Sequence, residues 1–121
     1  MRELRDYRKY EVWQKAHTLT LFVYKNIMPD FPKSEQFELS SQLKRAVYSV
    51  PLNIVEGCGR STDRDFVHFL DIALGSIHEV AYCTLLAFDL GYIEKEKYEQ
   101  VTEMIHEITG KLINLIKSIR E

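Results

Sequence analysis

The feature that most constrains this chain is the spacing of its apolar residues, which recur every three or four positions in four successive segments. The pattern is clearest in the last segment, where apolar residues alternate steps of four and three: Val101, Ile105, Ile108, Leu112, Leu115 and Ile119. Such spacing places side chains on one face of an α-helix and, in this segment, indicates a coiled-coil-like seam. No segment shows the strict alternation of a β-strand, so the sequence predicts an all-α fold.

The first helix is predicted over residues 11–26, because Pro29 and Pro32 follow it and proline cannot donate the backbone hydrogen bond that a helix interior requires. The second helix is predicted to begin at Ser34, whose hydroxyl can accept a hydrogen bond from a free amide of the first turn. Its apolar set is Phe37, Leu43, Ala46, Val47, Val50, Ile54 and Val55.

Pro51 falls inside the second segment, where the apolar spacing continues in phase on both sides of it. The sequence therefore predicts a kink in the helix and not a break. Gly57 and Gly59 follow, and one of them is expected to end the helix in the left-handed conformation that glycine adopts without strain.

The third helix is predicted to open with Ser61 or Thr62 as its N-cap and to end near Gly91. Asp63 and Asp65 suit its first turn, where the helix dipole is positive. The predicted connections are four to eight residues long, so successive helices should be antiparallel neighbours. The prediction is an up-down-up-down four-helix bundle that forms a single domain over residues 1–121, with residues 1–10 as a charged N-terminal extension.

Composition narrows the class of protein further. With 121 residues, 45% of them hydrophobic and 28% charged, the chain matches ordinary globular usage. The N-terminus is charged and has no apolar signal core, and no stretch of about 18 uncharged apolar residues suggests a membrane span. Cys58 and Cys83 are expected to be free thiols in a reducing cytoplasm. The net charge of −2 argues against a general polyanion binder.

A line of polar residues runs beside the apolar face of the second and third helices. Its members on the second helix are Gln42, Arg45, Ser49, Asn53 and Glu56, and the third helix contributes Asp65, His68, Ser76 and Glu79. Antiparallel packing around the glycines pairs residues whose numbers sum to about 124. It predicts these neighbours: Arg45 with Glu79, Ser49 with Gly75 and Ser76, Asn53 with Ile72, and Glu56 with His68.

The favoured interpretation of this line is a buried polar seam that fixes the register of the two helices, with a close helix approach at Gly75. Buried charges without partners cost several kcal/mol, so a matched arrangement is what a stable seam requires. The alternative is a binding site at the end of the bundle, surrounded by Asn53, Glu56, Gly57 and Arg60.

Residues 42–60, QLKRAVYSVPLNIVEGCGR, carry a specific resemblance to a known family. Residues 66–79, FVHFLDIALGSIHE, with Gly91 and Tyr92, match its second half, and residues 12–16, VWQKA, match its opening helix. The chain resembles the small proteins encoded in intervening sequences of bacterial 23S ribosomal RNA genes, and the resemblance covers nearly the whole chain.

This resemblance implies a four-helix bundle, commonly assembled as a homopentamer, with no established enzymatic activity and no cofactor. The family is also similar to the accessory variability proteins of diversity-generating retroelements. Those proteins form barrel-shaped pentamers and are thought to bind nucleic acid and a reverse transcriptase. They are strongly basic, whereas this chain carries a net charge of −2.

Catalytic and metal chemistry find little support in the sequence. Glu103 and His106 have the Glu-x-x-His spacing of di-iron bundles, but antiparallel packing places His106 opposite His78, about 15 Å from His68. Cys58 lies between two glycines, with no third group to orient a catalytic base. No metal ligand and no catalytic residue is predicted.

Nucleic-acid contacts are predicted for two local groups of basic residues. The first is an N-terminal arm of Arg2, Arg5, Arg8 and Lys9, interrupted by Glu3 and Asp6, and the second consists of Lys44, Arg60 and Arg64. Tyr7, Tyr10 and Tyr48 are available to stack on bases. The alternative is a solvated N-terminal extension with ordinary surface cations.

Three hypotheses for function follow. The first is a non-enzymatic scaffold or interaction protein that self-assembles, pentameric by resemblance, because apolar residues such as Tyr24, Leu52, Leu74 and Leu86 lie beyond one inward stripe per helix. The second is an RNA- or DNA-binding accessory protein, in which a ring would multiply a modest basic patch. The third is an enzyme with a site near Asn53, Glu56 and His68.

Overall fold

The computed structural model describes residues 5–120, and this part of the chain forms four α-helices and no β-strand. The helices are α1 (Glu11–Phe22), α2 (Leu39–Cys58), α3 (Asp63–Asp89) and α4 (Lys95–Arg120). Each packs antiparallel to its neighbour in sequence, and α1 also packs against α4. The α1–α2 side of the bundle therefore lies opposite the α3–α4 side. The predicted all-α, up-down-up-down four-helix bundle is confirmed.

All four helices bury their apolar faces in one hydrophobic core. Leu19 of α1, Leu43 of α2, Leu70 of α3 and Leu112 of α4 are completely buried. Each such side chain contributes about 1.5–3 kcal/mol to folding, which short helices need because they are marginal alone. In the last turns of α4 the buried residue is Ile116, while Leu115 and Ile119 are half-buried. The seam drifts there because 3.6 residues per turn do not match a 3.5-residue repeat.

The first helical segment continues beyond its predicted end at residue 26. The helix α1 is followed without interruption by a π-helical turn over Val23–Ile27. Short 3₁₀ turns at Met28–Asp30 and Lys33–Glu35 then make a longer connection than predicted. The predicted start of α2 at Ser34 is wrong, since α2 begins at Leu39.

Interactions with a segment that is distant in sequence explain this late start. The Tyr92 hydroxyl donates a 2.6 Å hydrogen bond to the Glu35 carboxylate, and Lys97 Nζ lies 2.7 Å from Asp30. These contacts hold the connection against the turn between α3 and α4. The Glu35 carboxylate, and not Ser34, lies 3.4 Å from the first amide of α2 at Leu39.

The prolines and glycines behave in three different ways. Pro51 is buried inside α2, which runs through it without a break, as predicted. The expected left-handed cap after α2 is wrong, because Gly59 has φ −81° and, within residues 5–120, only Gly91 has a positive φ, at 81°. Gly57 lies inside the helix, where a Cβ would come within 3.0 Å of both Phe66 and Phe69.

The start of α3 is capped as the sequence predicted. Thr62 is the N-cap, and its hydroxyl accepts a 3.1 Å hydrogen bond from the amide of Asp65. By length and composition alone, α3 could cross a membrane, a test that core helices of soluble bundles also pass. Nine of its residues are buried against neighbouring helices.

Residues 5–10 pack on the bundle, so the alternative of a solvated extension is wrong for this part of the arm. The Tyr7 ring lies edge-on to Trp13 at 4.9 Å, and the Tyr10 ring lies edge-on to Phe66 at 5.9 Å. Arg2 and Glu3 lie outside the described residues.

Candidate functional site

The centre of the predicted polar seam is formed by three half-buried residues on α2 and α3. Ser49 Oγ lies 2.9 Å from Ser76 Oγ, so the structure brings these two residues together. Asn53 Nδ2 donates to the Ser49 carbonyl at 2.7 Å and to Ser49 Oγ at 2.9 Å. The Ser49–Ser76 contact crosses the helix pair, and the Asn53 amide supports it from within α2, in keeping with the need of partly buried polar groups for partners.

The remaining seam residues are exposed, so the expectation of a buried seam is wrong at both of its ends. Gln42 donates to the Glu79 carboxylate, and Arg45 Nη2 lies 3.3 Å from Gln42 Oε1. Arg45, which was predicted to lie near Glu79, is linked to it through Gln42, one turn earlier on α2, and Gln42 makes the direct contact. The amide is closer to α3, whereas the long guanidinium stays in solvent.

At the other end of the seam, Glu56 and His68 are both exposed, and no hydrogen bond or ion pair joins these two described residues. The His68 ring lies edge-on to its neighbour Phe69 at 5.5 Å. The predicted close approach at Gly75 is also wrong, because a Cβ there would meet nothing within 4 Å. The close approach of α2 and α3 lies at Gly57.

Three residues of the alternative binding site around Asn53, Glu56, Gly57 and Arg60 are engaged within the chain. Asn53 turns back to Ser49 on its own helix, and the Arg60 guanidinium covers the Phe69 ring at 4.6 Å. The space beside Gly57 is filled by aromatic side chains.

Arg5 holds the N-terminal segment on the bundle through contacts within the chain. Its guanidinium pairs with Asp63 and donates a 3.0 Å hydrogen bond to the carbonyl of Arg60. It also lies 4.3 Å from the centre of the Phe66 ring, and its side chain is only 11% exposed. These contacts make Arg5 unavailable to a phosphate.

Four other predicted cations lie near the same end of the bundle and are exposed: Arg8, Lys9, Arg60 and Arg64. Within residues 5–120, none of the four forms an ion pair. Arg64 lines an open cleft of about 390 Å³ together with His68 and Arg120. Arg120 itself is paired with Asp71 at 3.2 Å, so the cleft holds charges of both signs.

Lys44 does not join these cations. It precedes Arg60 by sixteen positions, which along α2 corresponds to about 24 Å. Its ammonium group lies 5.6 Å from the ring of Tyr24, in the π-helical turn that follows α1. The predicted patch of Lys44, Arg60 and Arg64 is therefore divided between the two ends of the bundle.

Cys58 is fully buried beneath the N-terminal segment. Burial raises the pKa of its thiol to about 11, an effect that the nearby Arg5 opposes only in part. Burial also raises the pKa of Cys83, and the carboxylate of Glu79 adds to the shift. Both thiols are protonated at neutral pH, so neither has the thiolate character of a nucleophile.

No three His, Cys, Asp or Glu side chains within residues 5–120 are grouped so as to hold a metal ion. His78 and His106 line the same groove, as the antiparallel pairing predicted. The Nδ1 atom of His78 is hydrogen-bonded to the carbonyl of Leu74 at 2.8 Å.

The sequence reasoning missed a protruding aromatic residue. Phe37 was assigned to the apolar face of the second helix, but it precedes α2 and is 85% exposed. A step of six residues separates Phe37 from Leu43, which is out of phase with helical spacing of three and four. That gap in the pattern was the signal available in the sequence.

The sequence reasoning also missed an apolar groove of about 450 Å³ on the opposite side of the bundle, between α3 and α4. Ile77, Ala81 and Leu85 of α3 line it, together with Tyr98 and Ile105 of α4. Tyr82, at the rim, is 62% exposed. The pattern of apolar residues along each helix does not reveal this surface, because the same residues also account for the face that packs into the core.

Fold and surfaces together define a small antiparallel four-helix-bundle protein. The chain belongs to the family of 23S rRNA-intervening sequence proteins, whose sequence pattern matches residues 8–114. It is similar to a crystal structure, at 1.70 Å resolution, of a protein of unknown function from the S23 ribosomal protein family of Bacteroides thetaiotaomicron VPI-5482. The two share 29% sequence identity and a TM-score of 0.81, covering 88% of this chain and 98% of the other. A comparison with curated proteins found no significant match.

Proposed function

We propose that this protein is a non-enzymatic interaction protein that assembles with copies of itself into a closed ring in the cytoplasm. The single observation that carries the proposal is the presence of two unlike apolar surfaces on opposite sides of a bundle whose core is already filled. An apolar surface of this kind on a folded domain marks an interaction site more often than isolated exposed residues do.

The first surface lies on the α1–α2 side. It contains Phe37, Tyr24 at 38% exposure, Tyr48 at 42% and Leu52 at 47%. Tyr24 and Tyr48 lie close enough for the Tyr48 hydroxyl to help raise the pKa of Tyr24, after burial as the main cause. Tyr24 and Tyr48 therefore form a pair on this side, while Phe37 lies separately, before the start of α2.

The second surface is the groove on the α3–α4 side, with Tyr82 and Leu85 exposed along it. Ile113, one turn beyond Thr109 of the groove on α4, is also exposed. Because the two surfaces differ, a contact between them is head-to-tail, and such contacts generate rings when the rotation closes. Five subunits is the number that the family resemblance implies.

Native mass spectrometry combined with sedimentation equilibrium tests this proposal. We expect a single closed species, five times the mass of one chain, at micromolar concentration. A monomer under these conditions would contradict the proposal. The cytoplasmic assignment, supported by the two free buried thiols, is tested by fractionating cells that carry the tagged full-length protein.

A second candidate function is binding of a nucleic-acid backbone at one end of the bundle. Arg8, Lys9, Arg60 and Arg64 support it, because within the described residues they are exposed and form no ion pair. A ring would present this group once per subunit, and multivalent contact strengthens weak binding. We expect a dissociation constant for structured RNA that rises steeply with salt, as counterion release requires.

The matched comparison for this second function uses two double variants with the same change of charge. Arg60→Ala with Arg64→Ala should weaken RNA binding and reduce its salt dependence, whereas Lys25→Ala with Lys95→Ala, two exposed cations elsewhere, should do neither. Equal effects of the two double variants would show that binding follows net charge alone. Undetectable binding at about 50 mM salt would remove this function.

A further inference from the structure

The side chain of Phe37 protrudes from the connection between α1 and α2. It is 85% exposed, more than any other large apolar residue that the structure describes. Beside it lies a shallow cavity of about 410 Å³, lined by Met28, Phe31 and Lys44 among others. The ring of Phe37 therefore projects into solvent beside an open cavity, which is the shape of a residue that fills a pocket on another surface.

The groove between α3 and α4 has the matching shape and chemistry. Its volume of about 450 Å³ accommodates an aromatic ring, and aliphatic and aromatic side chains form most of its lining. Threonine hydroxyls occur at its α4 edge, where Thr109 already donates to the carbonyl of Ile105 at 2.8 Å. An apolar ring thus enters without leaving that hydroxyl unpaired.

The charged side chains that line the cavity beside Phe37 and the cleft next to the groove are of opposite sign. Lys33 and Lys44 line the cavity beside Phe37. Glu99 and Glu103 line a cleft that shares Tyr98 and other residues of α4 with the groove. Within residues 5–120 none of these four side chains forms an ion pair. Complementary charges at the rim of a contact select the partner and its orientation more than they add affinity.

Phe37 cannot reach the groove of its own chain, because it lies on the α1–α2 side and the groove lies on the opposite side of the bundle. We propose that Phe37 of one copy inserts into the α3–α4 groove of a second copy, with Lys33 and Lys44 facing Glu99 and Glu103. This inference rests on the self-assembly proposed above and names the contact through which it occurs.

The contact is heterologous, so each copy offers one protruding ring and one groove. Every groove in a closed ring is then filled, whereas an open chain leaves one ring and one groove unused at its ends. Closure therefore hides every copy of both apolar surfaces, which explains how a soluble protein tolerates a phenylalanine as exposed as Phe37.

The first experiment removes the protruding ring. Phe37→Ala should raise the protein concentration at which half of the chains are assembled by about tenfold or more, as expected for an aromatic anchor lost from a pocket. Leu90→Ala is the matched control, since Leu90 is 51% exposed but lines neither surface. That control should change the same concentration by less than about threefold. Equal effects of both variants would overturn the inference.

The second experiment separates the two halves of the contact. Leu85→Arg blocks the groove and leaves Phe37 intact, whereas Phe37→Ala does the reverse. At the concentration at which half of the wild-type chains are assembled, each variant alone should be mostly monomeric, and an equimolar mixture should form a one-to-one dimer, because a single functional contact remains. Failure of the mixture to associate, while each variant stays folded by circular dichroism, would overturn the head-to-tail contact.

A charge exchange provides the third experiment. Lys33→Glu and Glu103→Lys should each weaken assembly, and combining both changes in one chain should restore it. A double variant that is weaker than either single variant would overturn the predicted facing of these residues.

The results distinguish this inference from the proposed function. A wild-type monomer removes self-assembly and the contact together, leaving the groove to a different occupant. A wild-type ring that persists unchanged in Phe37→Ala removes only the contact.

Discussion

The two ends of the bundle differ in how their polar and aromatic side chains are used. At the end that contains the turn between α2 and α3, Thr62 caps a helix, Arg5 holds three groups, and Gly57 lets α2 approach α3 closely. At the opposite end, residues 28–38 form only short 3₁₀ turns and leave Phe37 in solvent.

The difference separates stability from interaction. At the first end, Thr62, Arg5 and Gly57 make contacts within the chain, so changes to these three residues should reduce the free energy of unfolding. At the second end, Tyr92 contacts Glu35 and the Phe31 ring, and Lys97 pairs with Asp30. Within the described residues, Phe37 and Lys33 form neither a ring contact nor an ion pair. Changes to Phe37 and Lys33 should alter association and leave folding intact.

The largest effect on stability is expected at Gly57. Gly57→Val places a branched side chain where even a Cβ would lie 3.0 Å from Phe66 and Phe69, and such overpacking should lower the free energy of unfolding by about 3 kcal/mol. Gly110→Val is the matched control, because a Cβ there meets nothing within 4 Å. Urea denaturation measures both. A loss below about 0.5 kcal/mol at Gly57 would show that the two helices are free to move apart.

The next largest effect is expected at Arg5. Arg5→Ala removes a charged hydrogen bond, an ion pair and a cation–π contact, and should cost about 2 kcal/mol in thermal or urea unfolding. It should also speed the labelling of Cys58, which lies buried near that arm. Arg8→Ala, at an exposed arginine beside the Tyr7 ring, should cost less than about 0.5 kcal/mol. Equal losses would mean that Arg5 does not anchor the segment.

A smaller effect is expected at the cap of α3. Thr62→Ala leaves the amide of Asp65 without its side-chain acceptor and should cost about 1 kcal/mol. Thr62→Ser keeps the accepting hydroxyl and should cost only a few tenths of a kcal/mol. Thermal unfolding followed by circular dichroism ranks the two variants. Loss of the same stability in both would assign the effect to the methyl group.

The smallest effect on folding is expected at the other end. Phe37→Ala should change the free energy of unfolding of the isolated chain by less than about 0.5 kcal/mol, because the side chain is 85% exposed. The measurement requires a protein concentration below that of assembly. A loss of 2 kcal/mol or more would show that Phe37 supports its own chain, and the contrast between the two ends would disappear.

Much of the fold could be predicted because helical spacing is a local property. Four features all followed from neighbours in sequence: the buried positions of α4 as far as Leu112, the continuity of α2 through Pro51, the Thr62 cap and the end near Gly91. The true start of α2 could not be predicted, and Ser34 was the wrong choice. Glu35 is held by a hydrogen bond from Tyr92, which is 57 residues away in sequence.

The polar seam likewise contains one contact that the sequence predicted and one that depended on the tertiary structure. Helical spacing and antiparallel packing placed Ser49 opposite Ser76. Spacing could not decide that Gln42, and not Arg45, reaches Glu79, because the outcome depends on side-chain length and direction.

By itself, the sequence determined which residues share a face of each helix, because that phase depends only on the geometry of the α-helix and on the order of side chains. Only the tertiary structure decided where α2 and α3 approach most closely, which cations stay unpaired, and that Phe37 protrudes on the side opposite an apolar groove. Those outcomes depend on contacts between segments that are distant in sequence, and these contacts form only when the core brings the helices together.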